Sequence, residues 1–364
     1  MLKQDIEALF IIVNAGLGTF PEGDKQAIPH DVNWETIFRL TQKQGVLAIA
    51  WDGISRLLDN GVTLTLPRSL KLKWGINSEI IAERYHKQWI VATDIADRFH
   101  EKGIHTAVLK GFALSQFYPV PEHRPCGDLD CFLMGRYEDG NSVAEAYGAK
   151  VERDFYVHSH IEYKGLTIEN HQFCTPIRGS QRAKDLEREL QLILQKELPS
   201  VINGSNLLSP SPLFTALHLA HHTRRHFITE GIALRHLIDW AMLVNGVGES
   251  IDWNQFSEIL CKYDRGLALF AETLMQISSK YFNTPYINLI ENIPSTLADD
   301  MMMDTLTDYI KINKNRFGVW RKRWMIISNY YTRYKLYKHF SEGSLLAVIG
   351  RAVYGYIFDH NPKL

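Results

Sequence analysis

Arg124-Pro125-Cys126-Gly127-Asp128-Leu129-Asp130-Cys131-Phe132-Leu133 enters from turn residues and ends in an apolar run, which predicts a β-strand over Asp128 to Met134. Residues two apart in a strand project from the same face, so Asp128 and Asp130 present two carboxylates side by side while Leu129, Cys131 and Leu133 point into a core. Like charges at that spacing repel. A divalent cation relieves the repulsion, and hard oxygen ligands suit Mg²⁺ (or Mn²⁺), which takes one or two protein carboxylates and completes its shell with substrate phosphates. The alternative is a solvated strand end that happens to carry two acids.

Upstream, Val108-Leu109-Lys110-Gly111-Phe112-Ala113 reads as a strand, Thr106 to Leu109, whose glycine opens a helix near Ala113 to Tyr118. Gly111 lets the backbone approach a ligand closely, and a helix N-terminus offers free N–H groups to a triphosphate. Lys110 and Arg124 add cations for phosphate. Strand-glycine-helix junctions are common, so this part is weak alone.

Downstream, strands around Tyr156 to Tyr163 and Leu166 to Phe173 flank Lys164-Gly165, a two-residue hairpin turn. That register sets Glu162 opposite Thr167, His160 opposite Glu169 and His158 opposite His171, all on one face. Such a face either lines a polar cleft or meets water. Holding two metals for phosphoryl chemistry requires a third carboxylate, and the face supplies Glu169 and Glu162.

Around this short α/β segment the periodicity is helical. Apolar residues recur every three to four positions from Ile37 to Leu57 and from Leu70 to Phe99, and again beyond Arg182, with loops at Ser200 to Pro212, Gly246 to Gly248 and Thr284 to Pro294. The expected fold class is α+β, a small mixed sheet flanked by helices. The expected division is an N-terminal helical segment (1–103), an α/β core (104–180) and a large C-terminal helical domain (181–364).

The 364 residues are 45% hydrophobic, which excludes a disordered chain and a disulfide-stapled miniprotein and fits two or three domains. Cys126, Cys131, Cys174 and Cys261 form no C-x-x-C pair and are too few for a disulfide framework; a reducing, cytoplasmic location is expected. No signal peptide is read at the N-terminus, and no apolar run has the length of a membrane span. Serine-nucleophile, Walker-type and G-x-G-x-x-G motifs are missing.

At this level of detail the order strand, L-K-G, helix, R-x-x-G-D-L-D, I-E-x-H resembles the nucleotidyltransferase superfamily of the DNA polymerase β type. It is most similar to a poorly characterised bacterial nucleotidyltransferase family with L-K-G in place of glycine-serine. The resemblance covers about Thr106 to Phe173, and more loosely Leu217 to Leu243. It implies transfer of a nucleoside monophosphate from an NTP, with ATP expected, to an acceptor hydroxyl with release of pyrophosphate. Asp128, Asp130 and Glu169 would then be the catalytic, metal-binding acids, with Glu162 the fallback. Lys110, Gly111 and Arg124 would contact the nucleotide, and His160 would orient Glu169. Two departures stand out: Phe112 occupies the place of the phosphate-holding serine, and Gly111 to Asp128 is a long interval. The first favours an alternative, a non-catalytic nucleotide-binding or scaffold protein.

Two further patterns carry other readings. His218, His222 and His226 recur every four residues beside His221, with Asp239 on the next helix. This is either the metal site of a phosphohydrolase or a polar helix interface that walls a substrate. From Tyr309 to Ser341 nine Lys or Arg interleave with nine aromatic residues and no acid, leaving residues 1–308 at a net −10. Nucleic acid binding through 309–340 is the sharper reading of that segment; a helix pair with buried aromatics is the favoured one. Leu345 to Phe358 is expected to be a buried last helix.

Overall fold

The computed structural model describes residues 3–20, 28–178, 180–197, 199–291, 294, 296–307, 331, 333–341, 346 and 350. The amphipathic stretches at the N-terminus form α1 (Lys3–Leu17), α2 (Trp34–Lys43), α3 (Leu47–Asp59) and the long α4 (Arg68–His100). The α/β segment follows as β1 (Thr106–Val108), α5 (Phe112–Ser115), β2 (Leu129–Phe132), α6 (Tyr137–Ala146), β3 (Lys150–Glu152), β4 (His158–Tyr163) and β5 (Leu166–His171). Then come α7 (Gln181–Lys196), β6 (Ser200–Val201), β7 (Leu207–Ser209), α8 (Pro212–Thr229), α9 (Leu234–Val247), α10 (Trp253–Tyr263), α11 (Arg265–Phe282) and α12 (Leu297–Leu306).

The seven strands form one mixed sheet in the order β3-β4-β5-β2-β1-β7-β6. β2 runs parallel to β5 and β1 parallel to β7, while the other neighbours are antiparallel. The hairpin register is the one its turn dictates, with Glu162 opposite Thr167, His160 opposite Glu169 and His158 opposite His171. Three strands depart from expectation. β3 was not anticipated, and the segment read as a loop from Ser200 to Pro212 contributes β6 and β7, which carry the sheet past residue 180. Two or three residues are too few to show a period of two, so these strands exist because neighbours offer edges to pair with, β4 to β3, β1 to β7 and β7 to β6.

Two apolar clusters hold the molecule. In one, the second half of α4 (Ala92, Ile95, Ala96, Phe99) packs under Val108, Cys131, Ile161 and Ile168 of the sheet. In the other, α1 to α3 join α8 to α12. The opposite face of the hairpin contains Ser159 and Asn170, both fully buried, and α6 gives each a partner: Asn141 Oδ1 accepts from Ser159 Oγ (2.6 Å) and Asn170 Nδ2 (2.9 Å). Buried polar groups are tolerated when paired in this way. Most of the basic aromatic segment, 309–330 with 332, lies outside the described residues, as does nearly all of Leu345 to Phe358. Of its described part, Tyr337 and Phe340 are buried against Phe227. No helix among the described residues is long and apolar enough to cross a membrane.

Helices α1 and α3 meet at Gly16 and Gly53, where the backbones touch. A Cβ on Gly53 would stand 1.7 Å from the Ile12 carbonyl oxygen, and one on Gly16 would stand 1.9 Å from that of Ile49. Backbone cannot swing aside as a long side chain does. Gly53→Ala is therefore expected to lower stability by about 3 kcal/mol, read as a fall in the midpoint of thermal or urea unfolding. Gly61→Ala, with open space around it and strained only by its positive φ, should cost about 1 kcal/mol; equal losses at the two positions would refute the close-contact account.

Candidate active site

Parallel pairing of β2 with β5 sets Asp130 directly opposite Glu169. Asp128, two residues before Asp130 at the mouth of β2, projects to the same side, and the three carboxylates come within 4.8 Å of one another. Glu162, the fallback third acid, is exposed further along the hairpin, where it accepts from Thr167 Oγ1 at 2.7 Å. The carboxylate set is therefore Asp128, Asp130 and Glu169.

Cations hold these acids together. Lys110 Nζ lies 3.0 Å from Asp130 Oδ2, and His171 Nε2 lies 3.3 Å from Asp130 Oδ1 and 3.5 Å from Glu169 Oε2. Burial alone would discharge Lys110, but Asp130, Asp128 and Glu169 hold its pKa above that of an ordinary lysine. Burial would likewise neutralise His171, yet its bonds to the two carboxylates push its pKa up to about 9. The partners move the opposite way. Against the cost of burial, Lys110 and His171 depress Asp130, and the His171 bond brings Glu169 down to about 2. All four pKa shifts express one requirement, that negative charge in a half-dry place needs positive charge beside it.

His160 Nε2 lies 3.3 Å from Glu169 Oε1. Lys110 also lies at the site. Gly111 turns the chain there with φ +64°, and a Cβ would face the Asp128 carbonyl at 3.8 Å. The helix it opens, α5, is only four residues long. Phe112, in the position of the superfamily serine, turns into the core between Tyr85 and Trp89 (ring centroids 5.0 and 5.3 Å). Arg124 is not placed as a phosphate ligand. It is buried, and Nε and Nη2 grip Asp239 of α9 at 2.7 and 2.8 Å, with Tyr118 donating to the same carboxylate at 2.6 Å. Sequence reasoning missed this because the partner is 115 residues away.

His171, in sequence only one member of the hairpin face, bonds both Asp130 and Glu169. The signal was present in its position two residues after Glu169. The histidines of α8 form a column: His218 to His222 and His222 to His226 have ring centroids 5.9 and 4.5 Å apart, and His236 of α9 continues it at 6.2 Å. Burial, and then the charge of Lys110, keeps His222 and His226 from protonating. None of these imidazoles joins a metal-capable group among the described residues. The column is uncharged and lies within reach of the Lys110 charge.

Removing Asp239 would strand Arg124 in the core, so Asp239→Ala is expected to cost about 3–5 kcal/mol in denaturant unfolding. Burial opposes the Asp239 charge, but Arg124 depresses its pKa below the usual value. Its contribution is thus fully present above pH ~4 and lost as pH falls through the depressed value. Wild type should lose stability on acidification more steeply than Asp239→Asn; parallel pH profiles would contradict the pairing.

The comparisons with known proteins fit this geometry. No curated protein and no solved structure matches significantly. A family model described as an uncharacterised nucleotidyltransferase matches residues 30–282, well over half of the chain, and spans α2 to α11 with the whole sheet. The chain belongs to this uncharacterised nucleotidyltransferase family.

Proposed function

We propose that the protein is a Mg²⁺-dependent enzyme that moves a nucleoside monophosphate from an NTP, ATP being the first to test, to an acceptor hydroxyl with release of pyrophosphate. The observation that carries this is the meeting of Asp128, Asp130 and Glu169 within 4.8 Å. The fit to a hard divalent cation rests on the donors themselves. Three carboxylates face two cationic side chains, and the buried Asp130 Oδ2 has no hydrogen bond of good geometry despite Lys110 at 3.0 Å. Asp128, Asp130 and Glu169 would hold the ions. Bound there, Mg²⁺ would supply charge neutralisation for the triphosphate and leaving pyrophosphate and acidify the acceptor hydroxyl.

The chain's own residues have definable tasks. Asp130 and Glu169 are fixed by His171, whose Nδ1 lies 3.2 Å from the Phe173 carbonyl. His160 braces the other Glu169 oxygen. Lys110, anchored on Asp130 and partly exposed, is the cation available to a nucleotide phosphate in place of the missing serine. Gly111 keeps the backbone beside it open. The domain division proposed is a catalytic core built on residues 104–180, with the helices before and after shaping the acceptor site.

Asp128→Asn/Asp130→Asn is expected to abolish metal-dependent NTP binding measured by calorimetry, and to slow pyrophosphate release on the order of 100-fold or more. NTP binding that is equal in both proteins and indifferent to Mg²⁺ would sink the two-metal reading. Phe112 in the serine position favours one alternative, a nucleotide-binding scaffold; metal-dependent binding with no pyrophosphate release across a broad acceptor panel would identify it.

A further inference from the structure

The hairpin face that supplies the third acid carries a second set of donors, in which His158, unused by the transferase reading, joins Glu169 and His171. His158, Glu169 and His171 bring one ligand atom each within 4.8 Å. We propose that they form a separate site for a borderline-soft transition metal ion of the Zn²⁺ class, sharing Glu169 with the carboxylate triad.

The spacing fits that ion. Bonds of about 2.0–2.2 Å at the tetrahedral angle put neighbouring donors about 3.4 Å apart. His171 Nε2 lies 3.5 Å and His158 Nδ1 3.7 Å from the same oxygen, Glu169 Oε2. The donor atoms also face the right way. His171 uses Nδ1 toward the Phe173 carbonyl at 3.2 Å, which orients the ring and turns Nε2 to the carboxylates, where a bound ion would replace the proton that Nε2 shares with Asp130 and Glu169. His158 Nδ1 is buried and has no hydrogen-bond partner, whereas its Nε2 meets His160 Nε2 at 3.1 Å. An imidazole with one ring nitrogen engaged and the other buried and bare is what a vacant ligand position requires.

Rigidity points the same way. His158 and His171 are directly paired across the hairpin, and Glu169 lies diagonally opposite His158 on the same face. Phe155 stacks on His158 and tilts against His160, with ring centroids 5.4 and 4.5 Å away. Imidazole nitrogen with carboxylate selects Zn²⁺, Co²⁺ or their neighbours over Mg²⁺, which prefers all-oxygen shells. The donor sets of the two sites overlap only at Glu169, so one carboxylate separates a hard site from a softer one.

The test uses full-length protein without an affinity histidine tag, stripped by chelator and titrated with Zn²⁺ and with Co²⁺, whose visible bands report tetrahedral coordination. One tetrahedral ion per chain is expected, marked by intense bands, whereas Co²⁺ in the all-oxygen carboxylate site gives only weak ones. His158→Ala and Glu169→Gln should each weaken binding beyond the roughly 10–100-fold that follows loss of a merely supporting group. Asp128→Asn, outside this donor set, should keep the bands. His171→Ala is a further check, made only if its circular dichroism matches wild type. No bound ion in wild type, unchanged bands in His158→Ala, or their loss in Asp128→Asn would each overturn the proposal. Co²⁺ bands in a protein that binds no NTP with Mg²⁺ would support this site while overturning the transferase reading; NTP binding with Mg²⁺ and no Co²⁺ bands would do the reverse.

Discussion

Three carboxylates crowded into a half-buried space cannot stay ionised unless positive charge is brought to them, and much of this fold serves that constraint. Two acids, Asp128 and Asp130, arrive on one strand, and the third, Glu169, on its parallel neighbour. Lys110 reaches in from the end of β1 and His171 from the end of β5. Each cation is itself buried enough to lose its charge without the acids. The groups therefore sustain one another's ionisation, and the site is poised for a cation that binds the carboxylates more strongly than these side chains do.

The supporting structure keeps that balance from relaxing. Behind the hairpin, Asn141 of α6 accepts from Ser159 Oγ and Asn170 Nδ2, so the face opposite the acids is fixed by hydrogen bonds as well as by Ile161 and Ile168. Past β5, the buried Glu187 of α7 accepts from the backbone N–H groups of Cys174 and Thr175 at 2.8 and 2.7 Å, pinning the chain just beyond His171. Arg124 and Asp239 tie the loop before β2 to the C-terminal helices. A site that must hold like charges close needs this kind of stiffness, because any slack would let the carboxylates separate.

Local pattern carried much of this. The D-x-D spacing put two acids on one face, and the two-residue turn at Lys164-Gly165 set the register that the hairpin adopts, down to His160 opposite Glu169. What was not legible depends on distant partners. Arg124 looks like a phosphate ligand because it is a cation beside the acids, but a buried guanidinium takes the nearest buried carboxylate, and Asp239 is supplied by α9. The choice between Glu169 and Glu162 also lay beyond the hairpin. Both share its face, and only the docking of β2 beside β5 brings one of them to Asp130 while the other stays exposed.

By itself, then, the sequence determined the strand and helix periods, the paired aspartates, the hairpin and its register, and through them the α+β class. These are short-range consequences of side-chain alternation and turn chemistry, which act within a few residues. Tertiary structure alone decided the strand order, the recruitment of β6 and β7 to the sheet, the burial of Arg124 and the conversion of His171 from one polar residue among several into the counter-charge of two carboxylates. Those outcomes turn on which surfaces meet. In a protein interior, the charge state and role of an ionisable group are set by neighbours that the chain delivers from far away in sequence.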